Sequence, residues 1–269
     1  MRPINLMFFI MVIFNTNYTF SNSLVKNKDF MICYGKLNPK EVKDYNYVIL
    51  EAQHYTHEDI TIFKNNNKSI LAYISLGEAH PSVPYYNEIL PNTFGKNEIW
   101  GGNYLNLQKE ETQKILIKAM GNLFDMGFEG VFLDNIDNFT IYGPMKDQAD
   151  DLINFLKRIK QEFPSSFLMQ NAGLSLLKDT SIYINSLLIE SVATAYDFEK
   201  KKYKLRSKKD FIYRKEELER TTLQTNIPIL IIEYVDSKKL CRKVKKRIKN
   251  KGWSYFFAKI DLQTLSNYN

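Results

Sequence analysis

Eight short apolar runs recur along the chain with amphipathic stretches between them, and this alternation limits the fold more than any other feature. The runs are Phe30–Tyr34, Tyr47–Glu51, Ser69–Ser75, Gly130–Asp134, Ser166–Asn171, Ser186–Glu190, Pro228–Tyr234 and Trp253–Ala258. They are rich in Ile, Val, Leu, Tyr and Phe and lack polar alternation, the pattern of strands buried on both faces. Between them the apolar spacing turns helical. Ala149, Leu152, Ile153, Leu156 and Ile159 form one stripe, and Ile115, Leu116, Ala119, Met120 and Leu123 another. Strand–helix alternation implies a parallel sheet with right-handed crossovers. Eight such units in about 250 residues match an α/β (β/α)8 TIM barrel. A doubly wound open sheet is the architectural rival, but no G-x-G-x-x-G or G-x-x-x-x-G-K-[ST] phosphate loop follows any of the runs. One connection, Gly77 to Asn106, is long and rich in Pro, Tyr, Gly and Asn, as a binding wall or lid would be.

The N-terminus reads differently. Residues 1–23 carry Arg2, then an uncharged apolar stretch from Leu6 to Phe14, then a polar tail with small residues. That is the shape of a secretory signal peptide, with cleavage after Ser21 or Ser23. An uncleaved anchor is the alternative, but the stretch is short for a bilayer. The expected organisation is a leader over 1–23 and a single barrel domain over 24–269. The mature protein is expected to be secreted or periplasmic, monomeric and without stable membrane insertion. Export would permit a Cys33–Cys241 disulfide. Cys241 also shares a stripe with Leu240, Val244 and Ile248, which fits burial as a free thiol.

Charge bears on the partner. Lys and Arg number 37 against 30 Asp and Glu, a formal net charge of +7. Such a balance raises nucleic acid as a partner, but the basic residues concentrate in Lys200–Lys215 and Lys238–Lys251, where they read as a solvated face. No nucleic acid is therefore expected. The barrel's chemistry belongs where strands end. Those positions hold Tyr34, Glu51, Glu78, Asp134 with Asn135 and Asp137, Gln170 with Asn171, Glu190, and Glu233 with Tyr234 and Asp236. Crowded carboxylates push some pKa values up, so that a protonated acid sits beside an ionised partner, which is what glycosidic cleavage requires. Asp134 and Glu190 stand out because each terminates an apolar strand. Glu51, Glu233 and Asp236 fit either a site role or pairing with local donors. Tyr85, Tyr86, Trp100 and Tyr104 in the long connection supply rings that stack on sugars or merely cover apolar surface. His54 and His57 lack further ligands for a zinc site. A divalent ion on Asp134, Asp137 and Glu190, or on Glu78, Asp134 and Asp137, is an alternative chemistry; the preferred reading needs no metal and no cofactor.

Four segments carry a resemblance. Ala72-Tyr73-Ile74-Ser75-Leu76-Gly77-Glu78, Gly127-Phe128-Glu129-Gly130-Val131-Phe132-Leu133-Asp134-Asn135-Ile136-Asp137, Gln170-Asn171-Ala172-Gly173 and Ile189-Glu190-Ser191-Val192 resemble glycoside hydrolase family 114, named for endo-α-1,4-polygalactosaminidase. The resemblance runs from about Tyr34 to Tyr255 and implies a barrel that cleaves a galactosamine-containing polysaccharide or its oligosaccharides from within. It implies Asp134 as nucleophile and Glu190 as acid/base, with Glu78, Asp137 and Asn171 shaping the sugar subsites. Two details differ from the family pattern: Q-N-G becomes Gln170-Asn171-Ala172, and the aspartate of an L-D-Y-V-D-like sequence becomes Glu233. The alternative function is a catalytically idle carbohydrate-binding barrel.

Overall fold

The computed structural model describes residues 28–223, 225–249 and 251–269, so the expected leader over 1–23 lies outside the described residues. Each apolar run forms a strand: β1 Lys28–Cys33, β2 Tyr45–Leu50, β3 Ile70–Ser75, β4 Gly130–Asp134, β5 Phe167–Asn171, β6 Ser186–Glu190, β7 Ile229–Tyr234 and β8 Ser254–Ala258. They build one eight-stranded sheet in chain order, with every neighbouring pair parallel. The sheet curls until its ends meet. The Phe30 and Phe256 rings of β1 and β8 lie 5.7 Å apart, and the Tyr34 amide donates to the Leu262 carbonyl at 2.7 Å. The architecture is the TIM barrel.

Burial explains the unbroken apolar runs. Val48, Ile49 and Leu50 on β2, and Val131, Phe132 and Leu133 on β4, are all fully buried although successive residues point to opposite faces. One face fills the barrel and the other meets the helices, and each such side chain contributes roughly 1.5–3 kcal/mol by leaving water.

The helices follow their stripes. They are α1 His57–Asn66, α2 Glu110–Asp125, α3 Ala149–Glu162, the short α4 Leu177–Thr180, α5 Lys208–Thr222 and α6 Lys238–Ile248. On α3 the buried set is Leu152, Phe155, Leu156 and Ile159, and on α6 it is Leu240, Cys241, Val244 and Ile248. Thr56 and Asp59 close a reciprocal capping box at the start of α1. The regular alternation has two gaps: residues 34–44 join β1 to β2 without a helix, and residues 259–269 after β8 form none. Among the described residues no helix is long and apolar enough to cross a membrane. Cys33 and Cys241 are both buried and free, which removes the disulfide alternative. Cys33 instead points its Sγ at the Gly35 carbonyl, 3.6 Å away.

Two excursions leave the strand ends. The long connection after β3, expected as a binding wall or lid, carries its own secondary structure. It folds into a small antiparallel sheet of Glu78–Ala79, Thr93–Lys96 and Asn103–Leu105, with a turn of helix at Tyr86–Ile89. Ile89 and Leu105 are buried beneath it, so it has an apolar anchor of its own. It also docks closely on the loop after β4: a Cβ on Gly77 would lie 2.7 Å from the Asn135 carbonyl oxygen, so only glycine fits there. The second excursion, after β6, is a two-stranded ribbon of Thr194–Asp197 and Lys202–Leu205. The two meet where Trp100 sets its ring edge-on to Phe198 at 5.5 Å.

Candidate active site

Neighbouring strands deliver their last polar residues to one place. Ladder register sets Asp134 opposite Ser75, Asn171 opposite Leu188, and Ile232 opposite Glu190. A continuous hydrogen-bond string results. Tyr73 Oη donates to Asp134 Oδ2 at 2.8 Å, and Tyr234 Oη donates to Glu190 Oε2 at 2.7 Å. Between the two carboxylates stands Asn171, whose Nδ2 donates to Asp134 Oδ1 at 2.7 Å and to Glu190 Oε1 at 2.9 Å. One amide nitrogen therefore holds those two oxygens no more than about 5.6 Å apart, the sum of its two bonds.

Each of the three strands turns away at once after its polar residue. Asn135, Ala172 and Ser191 follow Asp134, Asn171 and Glu190, and all three adopt left-handed backbone with φ of 61°, 59° and 56°. That conformation costs a residue with a Cβ on the order of 1 kcal/mol, a local strain of the kind that gathers at functional sites. It leaves the preceding side chains standing at the floor of an open cleft of about 860 Å3.

Electrostatics distinguish the carboxyl groups. Burial pushes the Glu190 pKa up, and the charge of Asp134 adds to the rise, while the Tyr234 and Asn171 donors oppose it. Glu51 is pushed up to about 7 by burial against a single backbone donor, the Gln53 amide. Burial, then the Asp134 and Glu190 charges, hold the Tyr73 and Tyr234 hydroxyls well above their ordinary range, so both stay protonated as donors. Glu78 is gathered by amides: its Oε1 accepts from Asn97 at 2.9 Å, Asn138 at 3.0 Å and Asn135 at 3.5 Å. Such a floor can protonate one oxygen of a bound molecule while a second carboxylate stands about 5 Å away, the arrangement of glycosidic cleavage with retention.

Residues 15–269 match the model of Glycoside-hydrolase family GH114. The chain belongs to this family. The solved glycoside hydrolase domain of PelA from Pseudomonas aeruginosa has a similar fold, with a TM-score of 0.77 at 22% identity over 89% of this chain and 96% of that one. Ega3 of Aspergillus fumigatus, solved in complex with galactosamine, gives 0.71 at 14% identity over 91% and 95%. Uncharacterised proteins of Thermotoga maritima and Methanocaldococcus jannaschii are 26% and 34% identical over 51% and 44% of this chain. The matches span 47% and 37% of the length of those two relatives.

Within this GH114 barrel the rim residues separate cleanly. Tyr34, Glu51, Tyr73, Glu78, Trp100, Asn135, Asp137, Asn171 and Tyr234 line the cleft with Asp134 and Glu190. Three expected residues do not. Gln170 is fully buried, its Nε2 donating to the Ala172 and Gly173 carbonyls. Glu233 is also fully buried and accepts from the Ala193 and Thr194 amides at 2.6 and 2.8 Å and from the Thr194 hydroxyl at 2.7 Å. The cause is the pleat: Gln170 precedes Asn171 and Glu233 precedes Tyr234, so each faces away from its inward neighbour. Asp236 lies beyond the end of β7, exposed and outside the cleft lining.

Of the aromatic set only Trp100 reaches the cleft. Tyr85 packs against the core, Tyr86 accepts from Asn103, and Tyr104 lies tilted against Phe94. Among the described residues no cluster of three or more His, Cys, Asp and Glu side chains is placed to hold a metal ion. Sequence reasoning missed Phe198 and Arg214, which line the space beside Glu190. Phe198 carried no local signal, and Arg214 fell inside the basic stretch read as a solvated face.

Proposed function

We propose that this protein is an exported, endo-acting glycoside hydrolase that cleaves a galactosamine-containing polysaccharide in two steps with retention of configuration. The observation that carries this reading is the Asn171 amide bridging Asp134 and Glu190. Retaining enzymes keep their two carboxyl groups about 5–5.5 Å apart, whereas inverting ones need about 6.5–9.5 Å to admit a water.

In the first step Asp134 attacks the anomeric carbon while Glu190 gives its proton to the departing glycosidic oxygen. The product is a glycosyl ester on Asp134 and a free chain end. In the second step Glu190, now ionised, takes a proton from water as that water attacks the same carbon, and Asp134 leaves as a carboxylate. A raised Glu190 pKa favours the protonated form that the first step uses. Tyr73 keeps Asp134 aimed, and Asn171 holds the spacing. Glu51, Glu78 and Asp137 make the main cleft acidic, which suits a sugar bearing an ammonium group. The galactosamine bound to the structurally similar Ega3 supports this choice of sugar.

The test is reducing-end release from polygalactosamine, before and after chemical N-acetylation, and from a panel of other polysaccharides. The anomer of the first-formed product should be read by proton NMR. Hydrolysis with the substrate's own anomer formed first is expected. No release from any amino-sugar polymer, or an inverted first product, overturns the mechanism.

A further inference from the structure

The catalytic floor opens on two cavities, not one. Besides the main cleft, a second space of about 570 Å3 lies beneath the ribbon that follows β6 and the first turns of α5. The two share Trp100, Glu190, Arg214 and Tyr234, so they meet at the proposed acid/base. Their chemistry is opposite. Carboxylates dominate the main cleft, while the second space is lined by Arg206, Arg214 and Lys204 against a single acid beyond Glu190, Asp210.

The two arginines have little else to do. Arg206 uses its Nε to hold the Ser191 carbonyl at 2.9 Å, and among the described residues its terminal nitrogens have no hydrogen-bond partner. Among the described residues Arg214 makes no hydrogen bond, and neither guanidinium lies within ion-pair distance of a carboxylate. Both are half-buried. They are near enough for the Arg214 charge to oppose that of Arg206, on top of the desolvation it already bears. Lys204 is engaged with Asp197 at 3.5 Å, and Glu233 behind is committed to its three donors. Glu233 and Asp210 offset part of the Arg206 charge from a distance. Even so, two adjacent, half-buried positive charges with no ion-paired carboxylate among the described residues are costly, and an anion between them removes that cost. Beside them Phe198 stands edge-on to Trp100 at 5.5 Å and to Tyr196 at 5.0 Å, an apolar wall of the kind that covers a sugar face.

We propose that this second space is a subsite for a sugar unit carrying a carboxylate, a uronic acid, recognised by Arg214 with Arg206. The inference rests on the hydrolase reading in one respect: a polymer crossing Glu190 would set an amino or neutral sugar in the main cleft and an acidic sugar in the basic space. Binding of the acidic sugar does not itself require cleavage. A guanidinium pairs with a carboxylate through two parallel hydrogen bonds, whereas a protonated amino sugar in the same place is repelled.

Isothermal titration of the full chain with trigalacturonate, neutral galactotriose and a galactosamine trimer tests this. Trigalacturonate is expected to bind about ten-fold or more tightly than galactotriose, with the advantage lost at high salt. Arg214→Gln should abolish that advantage, Arg214→Lys should keep part of it, and melting curves should show both variants folded. Glu190→Gln should leave it in place, so a failure of the catalytic assignment is read separately from a failure of the subsite. Equal binding of the acidic and neutral trimers, preference for the galactosamine trimer, or an unchanged advantage in Arg214→Gln overturns the proposal.

Discussion

Two glutamates at the ends of adjacent strands have opposite fates. Glu190 is the last residue of β6, and Glu233 is the last but one of β7. Both follow three apolar residues, and burial raises the pKa of both. Glu190 faces the open cleft, tied by one amide and one phenol, with room for a substrate. Glu233 is sealed, and its two oxygens are occupied by three donors of the segment just after Glu190. The first is placed to exchange a proton. The second holds the chain that carries the first. A raised carboxyl pKa is therefore no sign of catalysis unless the group can also reach solvent or substrate.

The sharpest way to break this comparison is to neutralise each acid without changing its shape. Glu190→Gln, like Asp134→Asn, is expected to lower kcat on the order of 10³-fold while leaving the melting temperature near that of the parent. Glu233→Gln is expected to do the reverse at its core. It turns a carboxylate oxygen into a donor facing other donors, costing about 2 kcal/mol of folding stability by urea titration. Activity lost through stability in Glu190→Gln, or unchanged stability in Glu233→Gln, would reverse the roles.

Tyr234 sharpens the same contrast, because its hydroxyl stabilises ionised Glu190. Without it the Glu190 pKa should rise further. The alkaline limb of kcat/KM, where the acid loses its proton, should move to higher pH in Tyr234→Phe. An unmoved or lowered limb would mean that another group sets it.

Glu51 offers a stability readout. The pKa of its carboxyl rises on folding from the ordinary 4.5 to about 7, so the folded state holds the proton more tightly than the unfolded chain. Its contribution is fully present below 4.5 and is lost as pH climbs through about 7. The difference in unfolding free energy between Glu51→Gln and the parent should therefore widen in the variant's favour across that window. A difference that stays flat refutes the burial argument.

The smallest effect is expected at Ala172, a left-handed residue where the family pattern has glycine. Ala172→Gly should raise stability by roughly 0.5–1 kcal/mol in thermal melts, relief of Cβ strain outweighing the added freedom of the unfolded chain. A loss would show that the Ala172 side chain contributes packing there.

Much of the site was legible because barrel chemistry gathers at strand ends and the apolar runs mark those ends. Asp134 and Glu190 close their runs and close their strands. Gln170 and Glu233 were also near strand ends, and the two-residue period carried the information that excludes them. Once Asn171 and Tyr234 face inward, their neighbours face out. Asp236 failed for a different reason, since a residue past the strand is no longer aimed by the pleat. Phe198 and Arg214 had no such marker: they reach the floor only because a ribbon and α5 fold over it from outside the barrel wall.

By itself the sequence determined the barrel, since eight runs buried on both faces can be satisfied by few other folds, and it placed the carboxylate pair at one rim. Tertiary structure alone decided how far apart the pair stands, because that distance depends on Asn171 bridging two strands and on no spacing along the chain. It also decided the meaning of the positive charge. Lys238–Ile248 turns its basic residues outward as an amphipathic helix should. Arg206 and Arg214 come from an equally basic stretch, yet they are carried to the edge of an acidic cleft. Hydrophobic periodicity is a local property that the chain records directly. Which charge meets which depends on contacts between residues far apart in sequence.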